Sequence, residues 1–213
     1  IPVKTLICAS NDNKVLYDFF RTGIYDKKRE FILTSSPSMD ILISSNLERL
    51  IYLSTGCDAE ANRSLMEQLN TQGSYEVTET MKEAMKDFTG GFATEAENAA
   101  EIKKVYEDTG YVIDTHTGVA SAVYRAYAEK TGDTTPTVIA STASPYKFSH
   151  SVMEAIRGDE GSKDEFAIID ELCSVSGVKI PAAVEEIRNA EIRHKRESDV
   201  EDMEKTVAEI LGL

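Results

Sequence analysis

Apolar positions fall into short runs divided by polar turns, and the runs switch between the spacings of strands and of helices. Thr5 to Ala9 is a near-continuous apolar strand, followed by the turn Ser10-Asn11-Asp12-Asn13 and an amphipathic helix through Phe20 that Gly23 stops. From about Ile41 to Thr55 apolar residues recur at helical spacing, and Gly56 closes the run. Asp58 caps a further helix that Gly73 ends. Residues 75–92 read as a small sub-lobe: a Tyr75–Val77 strand, a charged helix, then Gly90-Gly91 as a hinge or backbone turn. Thr94 and Glu97 form a capping box that opens a helix to about Asp108. Tyr111–Ile113 is a brief strand, and after Asp114 an alanine-rich helix runs to Lys130, its small residues suited to close packing on a sheet. Thr137, Val138 and Ile139 predict a short, buried parallel strand. From Phe148 onward the chain is helical, over about 149–157, 163–173, 182–190 and 198–211. The alternation predicts an α/β fold with a mainly parallel sheet flanked by helices and a helical C-terminus.

The 213 residues are 41% hydrophobic, enough for a sizeable core. Against 23 Lys plus Arg stand 37 Asp plus Glu, a formal net charge of -14, which argues against nucleic acid or an anionic membrane as partner. Cys8, Cys57 and Cys173 are odd in number and unrelated in spacing, as expected of reduced thiols in a cytoplasmic protein. The chain opens at Ile1 without an initiator Met and runs at once into an apolar strand. Such a strand is usually central in a sheet and reached through a preceding helix, so the start is expected to be a cut inside a longer protein.

Ligands in open α/β sheets collect at the carboxyl ends of strands. Ser141, Thr142 and Ala143 follow the expected strand at 137–139, with Ser144 and Pro145 placed to cap and open a helix. Taken alone, that loop is better explained by helix capping than by a site. With three histidines (His116, His150, His194) and no HxxxH or CxxC spacing, a metal site is not expected. Asp114 reads as a helix cap, with His116 near a cleft.

Three stretches stand out together: Ser36-Pro37-Ser38-Met39-Asp40-Ile41 followed by Ser44-Ser45-Asn46-Leu47-Glu48-Arg49; Asp114-Thr115-His116-Thr117-Gly118; and Ser141-Thr142-Ala143-Ser144-Pro145-Tyr146-Lys147-Phe148. In this order, and with Phe19 to Gly23, they closely resemble the threonine synthase family over Ile1 to about Ile156. The resemblance implies a partial three-layer sandwich from the large domain of a fold-type-II pyridoxal-phosphate enzyme. It implies conversion of O-phospho-L-homoserine and water to L-threonine and phosphate. It also implies that residues 1–213 are a C-terminal portion. The family's cofactor-binding lysine and phosphate-binding glycine loop have no counterpart here, so the chain alone is expected to be inactive. It is expected to self-associate through a surface that the N-terminal part would cover.

Residue by residue, the resemblance places Thr142, with Ser141 as neighbour, at the cofactor ring nitrogen, where a hydroxyl leaves the nitrogen largely neutral. Arg49 becomes a candidate for the substrate phosphate, since a guanidinium meets phosphate bidentately, with Ser38, Ser45 and Asn46 as further donors. Arg49 equally well pairs with Asp40 or Glu48, and Asn46 equally well caps a helix. Lys147 is either a mobile charge for a phosphate or a surface lysine, and His116 completes the candidate set. Ser144 and Tyr146 replace the family's commoner His and Ala. A reading from another class is a stand-alone α/β domain that holds a small anion or regulates a partner.

Overall fold

A computed structural model describes residues 2–158 and 164–213. In chain order the elements are β1 (Leu6–Ser10), α1 (Val15–Thr22), β2 (Ile24–Asp26), α2 (Leu47–Ser54), α3 (Ala59–Gln72), β3 (Ser74–Glu76), α4 (Glu79–Ala84), β4 (Phe88–Phe92), α5 (Glu95–Thr109), α6 (Thr115–Thr131), α7 (Ser149–Arg157), α8 (Glu165–Ser176), α9 (Ala182–Arg188) and α10 (Met203–Leu211). Single 3-10 turns add Pro37–Met39 and Pro145–Phe148. The Lys163 start expected for α8 lies outside the described residues. No helix among the described residues is long and apolar enough to cross a membrane.

The chain divides into two units, the first reaching Lys179 and the second running from Ile180 to Leu213. In the first, β1 and β4 pair in parallel, Leu6 opposite Phe88 and Ser10 opposite Phe92, while β2 and β3 form a separate antiparallel pair. The segment 75–92 is therefore shared between two sheets, with β3 in one and β4 in the other. Tyr25 and Tyr75 stack across the antiparallel pair at 5.4 Å. Around them Val15, Phe19, Leu47, Ile51, Leu69 and Met81 form one core. A second core joins Ala93 of the β4–α5 link to Val119 and Val123 of α6, with Met39 packed against it. The second unit carries α9 and α10, with none of its residues fully buried.

Capping residues fix the helix ends. Asp58 accepts from the amides of Glu60 and Ala61, and Thr94 and Glu97 form the reciprocal box at the start of α5. Gly23, Gly73, Gly110 and Gly132 close α1, α3, α5 and α6 in the left-handed region.

Four local expectations are corrected. Residues 137–139 form no regular element and pair with no strand among the described residues, and Val138 is 94% exposed. β-branched propensity is realised only on a pleated surface with a neighbour, and the run has none here. Tyr111–Ile113 likewise forms no regular element and pairs with no strand among the described residues; its Val112 and Ile113 are buried. The helix expected from Ile41 begins only at Leu47, because the Tyr25 hydroxyl donates to the Leu42 carbonyl and accepts the Ser44 amide, diverting groups that a helix would need.

The Gly90-Gly91 pair is neither hinge nor turn but the centre of β4. A Cβ on Gly90 would lie 2.9 Å from the Tyr17 Cα of α1, and one on Gly91 would lie 2.4 Å from Val123 Cγ1 of α6. Glycine is there so that α1 and α6 can both approach one strand.

Candidate functional site

The site is assembled at the N-terminus of α6. Asp114, 1% exposed, caps the helix, its Oδ1 accepting from the amides of His116 at 2.9 Å and Thr117 at 3.4 Å. An anionic cap at this end also meets the helix dipole favourably. The same carboxylate does more than cap: Oδ1 lies 3.2 Å from His116 Nδ1, and Oδ2 accepts the Thr117 hydroxyl. His116 Nε2 accepts the Ser38 amide at 3.1 Å, so Nε2 carries the lone pair and Nδ1–H faces Asp114. The imidazole rests on the Phe148 ring, centroids 4.8 Å apart.

Two loops dock on this helix end. The first, residues 34–40, is held from below by Asn11 and Asn13 of the β1–α1 turn. Asp40 Oδ1 accepts from Asn11 Nδ2 at 2.7 Å, Asn13 Nδ2 at 3.1 Å and the Thr34 hydroxyl at 2.7 Å; its Oδ2 accepts the Thr34 amide at 2.9 Å. Glu95 accepts the Ser35 amide, and Asn98 Nδ2 donates to the Ser35 hydroxyl. The 3-10 turn Pro37–Met39 then lifts Ser38 to the surface while Met39 packs against the α6 core.

The second loop, 137–143, is secured at Ser141, whose Oγ lies 2.9 Å from Thr117 Oγ1. Thr117 has one hydroxyl proton and Asp114 can only accept, so Ser141 supplies the proton between the two alcohols. Thr142, next in the chain, is exposed and its hydroxyl has no partner among the described residues. Ser144 caps the following turn through the Tyr146 amide at 3.3 Å. Tyr146 points away, buried, with its hydroxyl donating to the Val178 carbonyl; burial pushes its phenol up from the ordinary range. Lys147 is exposed, its Nζ 5.5 Å from the centroid of the Phe148 ring.

Ser38, His116 and Ser141 are thus linked by hydrogen bonds through Asp114 and Thr117, with Thr142 beside Ser141 and Lys147 over the ring that supports His116. Asn46 and Arg49 lie elsewhere. Both are exposed on or beside α2, and Arg49 lines a cleft of about 430 Å³ with Ser45, Glu48, Tyr52, Leu53 and Asn62. None of the helix-end cluster lines that cleft. Asn46 makes no side-chain cap bond. Asp40 is committed to Asn11, Asn13 and Thr34, and Glu48 accepts from Asn62, so neither pairs with Arg49. Among the polar partners that were not candidate site residues are Asn11, Asn13, Glu95, Asn98 and Thr117; a short polar turn and residues near helix starts carry no signal beyond capping.

The family model described as threonine synthase, C-terminal, matches residues 117–210. The chain is 34% identical over 195 residues to threonine synthase of Saccharomyces cerevisiae, covering 84% of this chain and 38% of that protein. It is 39% identical over 159 residues to threonine synthase-like 1 of Homo sapiens, covering 74% and 21%. Its fold is similar to the crystal structure of PLP-bound threonine synthase from Brucella melitensis, with a TM-score of 0.68, 37% identity, and coverage of 84% of this chain and 36% of that one. The chain spans between 21% and 38% of the length of the curated relatives that it matches.

Proposed function

The chain belongs to the threonine synthase family, as a C-terminal portion of it, and from that premise we propose that it forms one wall of a pyridoxal-phosphate site. The whole protein then converts O-phospho-L-homoserine and water to L-threonine and phosphate in the cytoplasm, the compartment that unpaired cysteines favour. The observation that supports this reading is the free Thr142 alcohol beside the anchored Ser141. The ring nitrogen of the cofactor needs a neutral partner whose hydrogen bonding is not already spent, and Thr142 is such a group.

When bound, the cofactor supplies an electron sink. The chain's own residues hold and orient. Thr142 would hold the ring nitrogen, and Ser141, tied to Thr117, would fix the backbone that presents it. Lys147, which makes no ion pair among the described residues, offers its ammonium to a phosphate, a mobile point charge rather than a fork. His116 holds the Ser38 amide, which sets the position of the exposed Ser38 hydroxyl as a donor to the substrate. Arg49 and Asn46 meet the substrate only where another part of the protein extends the site towards α2.

The activity belongs to the complete protein; this chain has no residue matched to the family's cofactor lysine and is expected to be inactive alone. The test is the complete protein with pyridoxal phosphate and O-phospho-L-homoserine, reading threonine and phosphate release. Thr142→Ala is expected to change the cofactor absorbance, and Lys147→Ala to raise KM. Absence of threonine, together with a cofactor spectrum indifferent to Thr142→Ala, rejects the reading.

A further inference from the structure

Capping α6 requires only that the Asp114 carboxylate accept the amides of His116 and Thr117; its bonds with the His116 and Thr117 side chains are additional. They complete an unbroken path from the Ser38 amide through His116, Asp114 and Thr117 to the Ser141 hydroxyl. Resting on the functional reading above, we propose that Asp114 is the positioning residue that couples the substrate-side loop 34–40 to the cofactor-side loop 137–143.

The physical basis is the direction of each bond. An ionised carboxylate only accepts, so both neighbours must donate to it. His116 turns Nδ1–H towards Oδ1, which leaves Nε2 to receive Ser38. Thr117 gives its proton to Oδ2, which leaves its oxygen to receive Ser141. One charge therefore sets the hydrogen-bond polarity on both sides, and bonds linked through it reinforce one another. A shift of Ser141 alters what Thr117 gives Asp114, and through it the hold on His116 and Ser38.

Asp114→Ser keeps an N-cap acceptor but has one oxygen, too few to bridge both arms. In the complete protein it is expected to raise both the KM for O-phospho-L-homoserine and the Kd for pyridoxal phosphate about fivefold, alongside a Tm lowered by the buried donor left without an acceptor. A second variant reads the path without turnover. Thr117→Val removes only the cofactor-side arm and leaves the backbone cap intact. It is expected to speed amide hydrogen exchange at Ser38 about fivefold and to move the His116 ring nitrogen shifts. Unchanged Ser38 exchange in Thr117→Val overturns the coupling, as do unchanged KM and Kd in Asp114→Ser. If the unmodified complete protein makes no threonine, the functional reading falls, and the exchange measurement still decides the coupling.

Discussion

Residues 34–40 and residues 137–143 reach the same helix end, but they are held very differently. The first loop is bound to Asn11, Asn13, Glu95 and Asn98 through side chains, and Ser36 within it is fully buried. The second is tied through the Ser141 hydroxyl, and Val138 within it stands almost wholly in solvent. A loop with many internal polar bonds keeps one shape before anything binds. A loop tied to a neighbouring element through one side-chain bond takes its final shape from what settles against it. The difference separates a preorganised face of the site from an adaptable one.

The strongest way to break the contrast is Asp40→Ala. It removes the acceptor shared by Asn11, Asn13 and both the amide and the hydroxyl of Thr34 and is expected to cost about 3 kcal/mol in urea unfolding. A loss below about 0.5 kcal/mol would show that the first loop is not the rigid partner.

Next in size is the shaft on which both loops rest. Arg125 of α6 meets buried Glu101 of α5 through two bonds of 2.8 Å, and Ser121 adds a third at 2.7 Å. Burial pushes the Glu101 carboxyl up, but Arg125 and Ser121 outweigh it and hold its pKa below the ordinary 4.5. A depressed carboxylate stabilises the fold at pH above its unfolded value and loses that contribution as pH falls through the folded one. Glu101→Gln should therefore lower Tm at neutral pH, by the equivalent of about 1 kcal/mol, and the gap should close as the pH falls below 4.5.

Ser141→Ala should cost only about 0.5 kcal/mol in the same unfolding assay, yet raise hydrogen exchange across 140–143. Val138→Thr should lie within about 0.5 kcal/mol of the parent, since its side chain is in water already. If Val138→Thr cost as much as Asp40→Ala, the second loop would be a packed strand after all.

How much of this was legible in the sequence depends on whether the cause was local. The caps at Asp58, Thr94 and Asp114 and the closing glycines are local chemistry, so the ends of α3, α5 and α6 could be read directly. The late start of α2 could not, because the hydroxyl that delays it comes from Tyr25, well upstream in β2. β4 was missed since glycine weakens a strand in isolation and its reason for being there is the approach of two helices. At the site, His116 and Ser38 are 78 residues apart in sequence, and only the fold reveals that they bond. Asp114 was legible as a cap, but an N-cap aspartate looks the same whether or not its second oxygen has other work.

The Gly90-Gly91 step carries a warning for anyone mapping this protein by saturation mutagenesis. Both positions will score as intolerant, because even alanine would intrude on Tyr17 at one and Val123 at the other. A tolerance map would colour them like reactive groups, although their whole contribution is to leave room.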